Sequence, residues 1–185
     1  MRIARRWIGV SLLLLGVLAF APICHGAEGW VEIPDLGFSM KLPPGWKTYP
    51  VHKNMFYQEG KRRDNQGWVT EYLLQGKSLS EFVDASLKDL HRMKSLQRKV
   101  ERLLGEAGPG QQSLKEEPPK VVSRTMRQIN GLEAIEVLCE GEYAVLELYV
   151  RKGPKVISVL LRTLKEDFPK YEPSFRQAID SITIR

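Results

Sequence analysis

The chain has 185 residues, with 28 Lys and Arg against 22 Asp and Glu and a formal net charge of +6. Three of these arginines lie in a predicted export signal, so removal of that signal halves the charge excess. A small excess in an exported protein argues against a nucleic-acid partner. The residues that remain are enough for one domain with a substantial core.

The first predicted element is this export signal. Three arginines precede an apolar run from Trp7 to Phe20, which is short for a membrane span and typical of a signal peptide. Small residues at Gly26 and Ala27 predict cleavage nearby, so we assign residues 1–26 to the signal and expect a periplasmic or extracellular protein. An uncleaved segment that anchors the protein in the membrane is the alternative, and the general and twin-arginine routes both remain open.

A short strand and a turn follow the signal. Phe38, Met40 and Leu42 alternate with polar residues, which predicts a strand with one buried face. Pro44 and Gly45 suit the central positions of a type II turn, where glycine supplies a positive φ. We expect this strand and its corner to start the sheet of the protein.

A hairpin with a basic tip comes next. Met55–Gln58 and Trp68–Leu74 are β-prone runs, and the connector between them has a glycine near each end. Three consecutive cations, Lys61, Arg62 and Arg63, lie in that connector. The pattern predicts an exposed loop tip, a place where binding residues are common.

The longest predicted helix begins at a capping box formed by Ser78 and Glu81. Apolar residues then recur every three or four positions as far as Leu103, and Gly105 is suited to end the helix. The breaker-rich stretch Gly105–Lys120 has no periodicity, so we expect a flexible loop there.

The last third of the chain predicts an antiparallel meander followed by a helix over Pro173–Ile182. Asn130-Gly131 is a strong hairpin signal, and the last two strands are apolar on both faces. We therefore predict an α+β fold, an α/β/α sandwich with a central antiparallel sheet flanked by helices, in a single domain over residues 27–185. The four strands are Val121–Ile129, Leu132–Glu140, Tyr143–Arg151 and Lys155–Leu164.

Two short motifs carry a resemblance to a known family. The opening reads Gly-Phe-x-x-x-x-Pro-x-Gly-Trp from Gly37 to Trp46, and the closing helix contains Tyr171 and Phe175 in a Tyr-x-x-x-Phe spacing. Together with the meander, these residues resemble the PsbP-like family, whose plant members are extrinsic subunits of photosystem II. The chain is more similar to short exported bacterial members. The resemblance implies the same sandwich fold but transfers no ion-binding or docking residue.

Residues suited to catalysis or metal binding are sparse. Cys139 is the only cysteine after the signal and lies in an apolar alternation, so a small buried hydrophobe is the favoured interpretation over a nucleophile paired with histidine. His52 and His91 belong to no metal-binding motif. We predict no catalytic residue, cofactor or metal. We also expect the acids of the hairpin strands to be solvated: Glu133, Glu136, Glu140, Glu142 and Glu147.

The basic residues are the remaining candidates. Cations crowd the second half of the long helix, where the helix dipole is an adequate explanation, but a docking surface is an alternative. The tip has no such dipole. The candidate binding residues are Lys61, Arg62, Arg63, Arg92, Arg98 and Arg102.

These patterns favour an exported, non-enzymatic accessory module that docks to an unidentified envelope protein or an anionic membrane surface. The alternative is a small-ligand binding protein or a hydrolase with a pocket between sheet and helix. A polar residue that points into that space would favour the alternative. The oligomeric state is left open.

Overall fold

A computed structural model describes residues 29–61, 64–89 and 119–185. Two short 3-10 turns, Pro34–Leu36 and Lys165–Asp167, join some of the strands and helices. The helices are α1 over residues 79–89 and α2 over Phe168–Asp180. The strands are β1 Trp30–Ile33, β2 Phe38–Lys41, β3 Trp46–Thr48, β4 Met55–Gln58, β5 Gln66–Leu73, β6 Lys120–Ile129, β7 Leu132–Glu140, β8 Tyr143–Lys152, β9 Lys155–Leu164 and β10 Thr183–Ile184.

The strands form two antiparallel sheets. The main sheet has seven strands in the order β3-β4-β5-β9-β8-β7-β6, and a small sheet has the order β1-β2-β10. Of the described residues, 51% are in strands and 24% are helical. The predicted α/β/α sandwich with a central sheet flanked by helices is therefore wrong, and the fold is β-rich with two sheets. The prediction failed because the opening strand joins a second sheet instead of the main one.

The predicted corner connects these two sheets. Gly45 has a φ of +77°, and the amide of Trp46 donates to the carbonyl of Pro43 at 3.1 Å, as a type II turn requires. The turn passes the chain from β2 in the small sheet to β3 in the main sheet. The turn is confirmed, but its expected role at the start of a single sheet is wrong.

The two faces of the main sheet bury different elements. On one face, called the α2 face, the largest cluster joins α2, the small sheet and side chains such as Trp46, Phe56 and Leu161. On the other, called the α1 face, Leu79 and Val83 of α1 are fully buried in a second cluster. The meander is apolar on both faces because both are covered over β7, β8 and β9.

The hairpin turn and the helix cap predicted from short sequence motifs are both present in the structure. Asn130 and Gly131 have φ values of +50° and +79°, as a two-residue hairpin turn between β6 and β7 requires. At α1, the Ser78 hydroxyl accepts from the Glu81 amide at 3.2 Å, and Glu81 accepts from the Ser78 amide at 2.8 Å. The predicted capping box is confirmed. Residues 105–118 of the predicted loop Gly105–Lys120 and the second half of the long helix lie outside the described residues, and Lys120 begins β6.

Candidate functional site

The predicted basic tip is only partly within the described structure, which includes Lys61. Its ammonium forms an ion pair with Asp167, 2.7 Å from Nζ to Oδ2, and this hydrogen bond raises the pKa of Lys61. Asp167 directly precedes α2, so Lys61 holds the tip against the start of that helix. The other predicted binding residues lie outside the described residues: Arg62, Arg63, Arg92, Arg98 and Arg102.

Buried polar contacts fix the base of the tip. Asn65 is fully buried, and its amide oxygen accepts from the hydroxyl of Thr163 at 2.7 Å. Its amide nitrogen donates to the side chain of Gln58 on β4. These bonds tie the connector between β4 and β5 to β9. The sequence predicts only an exposed loop, because the pattern gives no sign that the side chain of Asn65 is buried.

A second basic surface lies at the other end of the main sheet, where β5 ends and β9 begins. An open cleft of about 550 Å³ lies there, lined by residues that include Leu73, Lys77, Arg151 and Pro154. Tyr72 and Leu73 remain 43% and 60% exposed. We call this surface the basic end and define it as Tyr72, Leu73, Lys77, Arg151, Lys152, Lys155 and Arg185.

Two tight turns build the basic end. β5 pairs with β9 as far as Leu73 opposite Lys155, so the turn between β8 and β9 lies beside the end of β5. The amide of Leu74 donates to the carbonyl of Pro154 at 2.9 Å and joins the two segments. Gln75 and Gly76 then take positive φ values and turn the chain into α1. Residues far apart in sequence thereby meet at one place.

Carboxylates near the basic end have structural partners. Lys155 pairs with Glu71 at 2.8 Å, and Arg151 lies 3.6 Å from Glu133. Glu81 caps α1.

The ammonium of Lys152 donates to the carbonyl oxygens of Leu36 at 2.8 Å and Arg185 at 2.6 Å. The four cationic side chains shown here, Lys77, Arg151, Lys152 and Lys155, still outnumber these three carboxylates, so the surface carries a positive excess.

A polar cluster lies on the α1 face, between the main sheet and a helix, which is the kind of place expected for the pocket of the alternative function. The hydroxyl of Ser158 donates to Oε1 of Glu147 at 2.6 Å, and the hydroxyl of Tyr149 also bonds to this carboxylate. Burial raises the pKa of Glu147 despite these two hydrogen bonds. Leu79 and Val83 of α1 are fully buried against the same face. Polar groups thus do point toward the helix, but they bond to one another.

The expected solvation of the strand glutamates is wrong for two of them. Glu136 is 5% exposed, because it lies between the guanidinium groups of Arg127 and Arg176. Glu147 is partly buried on the α1 face. The interpretation of Cys139 as a buried hydrophobe is confirmed, since the side chain is 5% exposed and burial raises the pKa of its thiol to about 11.

The raised pKa of Glu147 predicts a pH-dependent stability. The native state holds this proton more tightly than the unfolded chain, so its contribution is full below the ordinary pKa of 4.5 and is lost as pH rises through the folded value. Glu147→Gln keeps an acceptor for Ser158 and removes the charge. We expect this variant to gain stability relative to wild type between pH 4 and pH 7, measured by urea unfolding at both values. A constant difference between the two proteins across that range would contradict the assignment.

The described residues show no sign of two other kinds of site. No group of three or more His, Cys, Asp or Glu side chains among them could hold a metal ion. No helix among them is long and apolar enough to cross a membrane.

Comparisons with known proteins relate the chain to other molecules by structure. The solution structure of cyanobacterial PsbP from a Synechocystis species matches with a TM-score of 0.55 and 13% identity, over 84% of this chain and 91% of that one. A Pseudomonas aeruginosa protein of unknown function matches with a TM-score of 0.47 and 18% identity, over 80% and 91% of the two chains. A Bacteroides thetaiotaomicron protein matches with a TM-score of 0.35 and 14% identity, over 80% and 45%.

The similarity to cyanobacterial PsbP shows that the chain has a PsbP-like fold. At this level of identity the similarity concerns the fold alone. Comparison of the sequence with protein-family models and with curated proteins gave no match.

Proposed function

We propose that this protein is an exported, non-enzymatic accessory module that docks on an anionic membrane surface of the cell envelope through its basic end. The observation that carries the proposal is the position of exposed Leu73, with Pro154, beside Lys77 and Arg151 at one end of the sheet. Apolar side chains flanked by cations are the combination that binds a lipid interface. The predicted export signal would deliver such a module to the envelope.

The apolar and the cationic side chains of this surface contribute differently to the free energy of membrane binding. Insertion of Leu73 would remove its exposed apolar area from water, at about 25 cal/mol per Å². A cation close to an anionic leaflet contributes about 1 kcal/mol and is screened by salt. Neither term holds a protein at a membrane by itself, so we expect the two to act together.

Vesicle flotation tests the proposal. The protein is purified in its exported form from its host, with intact mass to identify its first residue. We expect the protein to float with vesicles that contain phosphatidylglycerol and not to float with pure phosphatidylcholine vesicles. Raised salt should dissociate it from the anionic vesicles. Lys77→Ser with Arg151→Ser should weaken binding by about 2 kcal/mol, roughly thirtyfold. The matched control is Lys170→Ser, since Lys170 is an exposed cation on α2 near the opposite end of the sheet.

Equal flotation of wild type and the double variant would contradict docking through the basic end. The predicted basic tip is the second surface to test, because it lies near the opposite end of the main sheet, beside Asp167. A triple substitution of Lys61, Arg62 and Arg63 by Ser should leave flotation unchanged. If that variant alone loses binding, the tip is the docking surface and the basic end is not.

A further inference from the structure

The outermost strand of the main sheet is long and apolar for an exposed edge. β6 has ten residues and pairs with β7 on one side, and no described strand pairs with its other side. Val121, Val122 and Met126 are 45%, 53% and 61% exposed. An edge strand with unpaired backbone groups and apolar side chains is a template for pairing with another strand. The charges and the register of β6 indicate which strand pairs with this edge.

The charges of β6 decide between two kinds of partner. The strand carries three cations and no acid, which would suggest an acidic partner. However, Arg124 already binds Asp84 of α1, and Arg127 binds both Glu136 and Asp180. These carboxylates neutralise the guanidinium groups within the chain. An acidic strand therefore gains little from this edge, and a second identical strand is not repelled by it.

A bulge limits the part of β6 that can pair regularly. The register with β7 shifts between Val121 and Ser123, so the regular segment is Ser123–Ile129. Two antiparallel copies of this segment overlap fully when a two-fold axis passes through its central residue, Met126. That register places Arg124 opposite Gln128 of the second copy and brings no two cations face to face. An axis at either arginine would oppose like charges.

We propose that two copies of this chain pair through β6, antiparallel about a two-fold axis at Met126, so that their main sheets become continuous. The most exposed apolar side chain of the strand then packs against its own copy. A seven-residue strand pair buries less than the 800 Å² or so per partner typical of stable interfaces. The dimer is therefore weak and concentration-dependent.

Sedimentation of the exported protein over a range of concentrations tests this pairing. We expect a dimer fraction that rises with concentration. Met126→Lys places like charges at the axis and should raise the dissociation constant roughly tenfold or more. Val51→Lys is the matched control, since Val51 is 83% exposed and lies between β3 and β4, and it should leave the dimer unchanged. Unchanged melting temperatures for both variants would show that the folded monomer is intact.

Cysteine cross-linking tests the register. In a Cys24→Ser background, where the remaining Cys139 is buried, Met126→Cys should form an intermolecular disulfide under mild oxidation, because opposite Cβ atoms of paired strands lie about 4.5–5.5 Å apart, close to the distance that a disulfide spans. Gln128→Cys is the control on the same face, two residues from the axis, and should not cross-link. A protein that stays monomeric at its highest soluble concentration would overturn the proposal, as would equal cross-linking at both positions. Capture of a foreign strand by a monomeric protein would overturn it too.

Discussion

Phe175→Ala is expected to destabilise the protein by about 3–5 kcal/mol, the range for loss of a buried aromatic ring. Phe175 is fully buried on α2, and its ring lies 5.4 Å from that of Trp46 in an edge-to-face contact. The rings of Phe168 and Tyr171 lie 6.3 and 6.1 Å away. One truncation therefore removes a fully buried contact between α2 and the main sheet and leaves a cavity among large rings.

Urea unfolding measures this loss, with Lys170→Ala as the control on the same helix. Lys170 is exposed, so its truncation should change the free energy of unfolding by no more than about 0.5 kcal/mol. A loss below about 1 kcal/mol for Phe175→Ala would mean that α2 is not packed on the sheet in this way.

The second large effect is expected at Gly67 on β5. A Cβ at this position would lie 2.1 Å from Cε2 of Phe56 and 2.7 Å from the carbonyl oxygen of Leu160. β5 is paired on both sides, by β4 and β9, so its backbone cannot move away from the new methyl group. We expect Gly67→Ala to cost about 1–3 kcal/mol or more, as overpacking of a core does.

A double-mutant cycle identifies the cause of that loss. Phe56→Leu is destabilising by itself, but it removes the ring that the methyl group would meet. The double variant should therefore lose less than the two single variants together. Additive losses would contradict a clash with Phe56 and leave the Leu160 carbonyl as the cause.

Local signals predicted most of the strands. The bounds expected for β4, β7 and β9 are those observed, because each run is β-prone and is bounded by turn residues, such as Asn130-Gly131 before β7. The capping box of α1 was equally predictable from the sequence, because it depends on residues only three positions apart. Patterns that lie within ten residues of sequence describe local geometry well.

The arrangement of those elements was less predictable. β2 pairs with β10, so Phe38 meets Ile184 from the far end of the chain. β10 has only two residues and no alternation from which a strand could be inferred. The small sheet was therefore missed, and the fold class predicted without it was wrong.

The candidate site shows the same limit. The tip could be predicted because its three cations are consecutive, and it stays a prediction. The basic end could not be predicted, because Lys77 and Arg151 meet only through the pairing of β5 with β9. One local signal was present, the cations on both sides of the turn at Gly153-Pro154. Similarly, the burial of Glu136 depends on Arg176, which lies on α2 and is distant in sequence.

Amide hydrogen exchange in the presence of phosphatidylglycerol vesicles tests the proposed docking most directly. If the basic end faces the membrane, vesicles should slow exchange in residues 72–77 and 151–155. Exchange near Lys61 and over residues 165–170, near the opposite end of the sheet, should be unchanged. Protection confined to that opposite end, or no protection in a protein that floats with the vesicles, would contradict docking through the basic end.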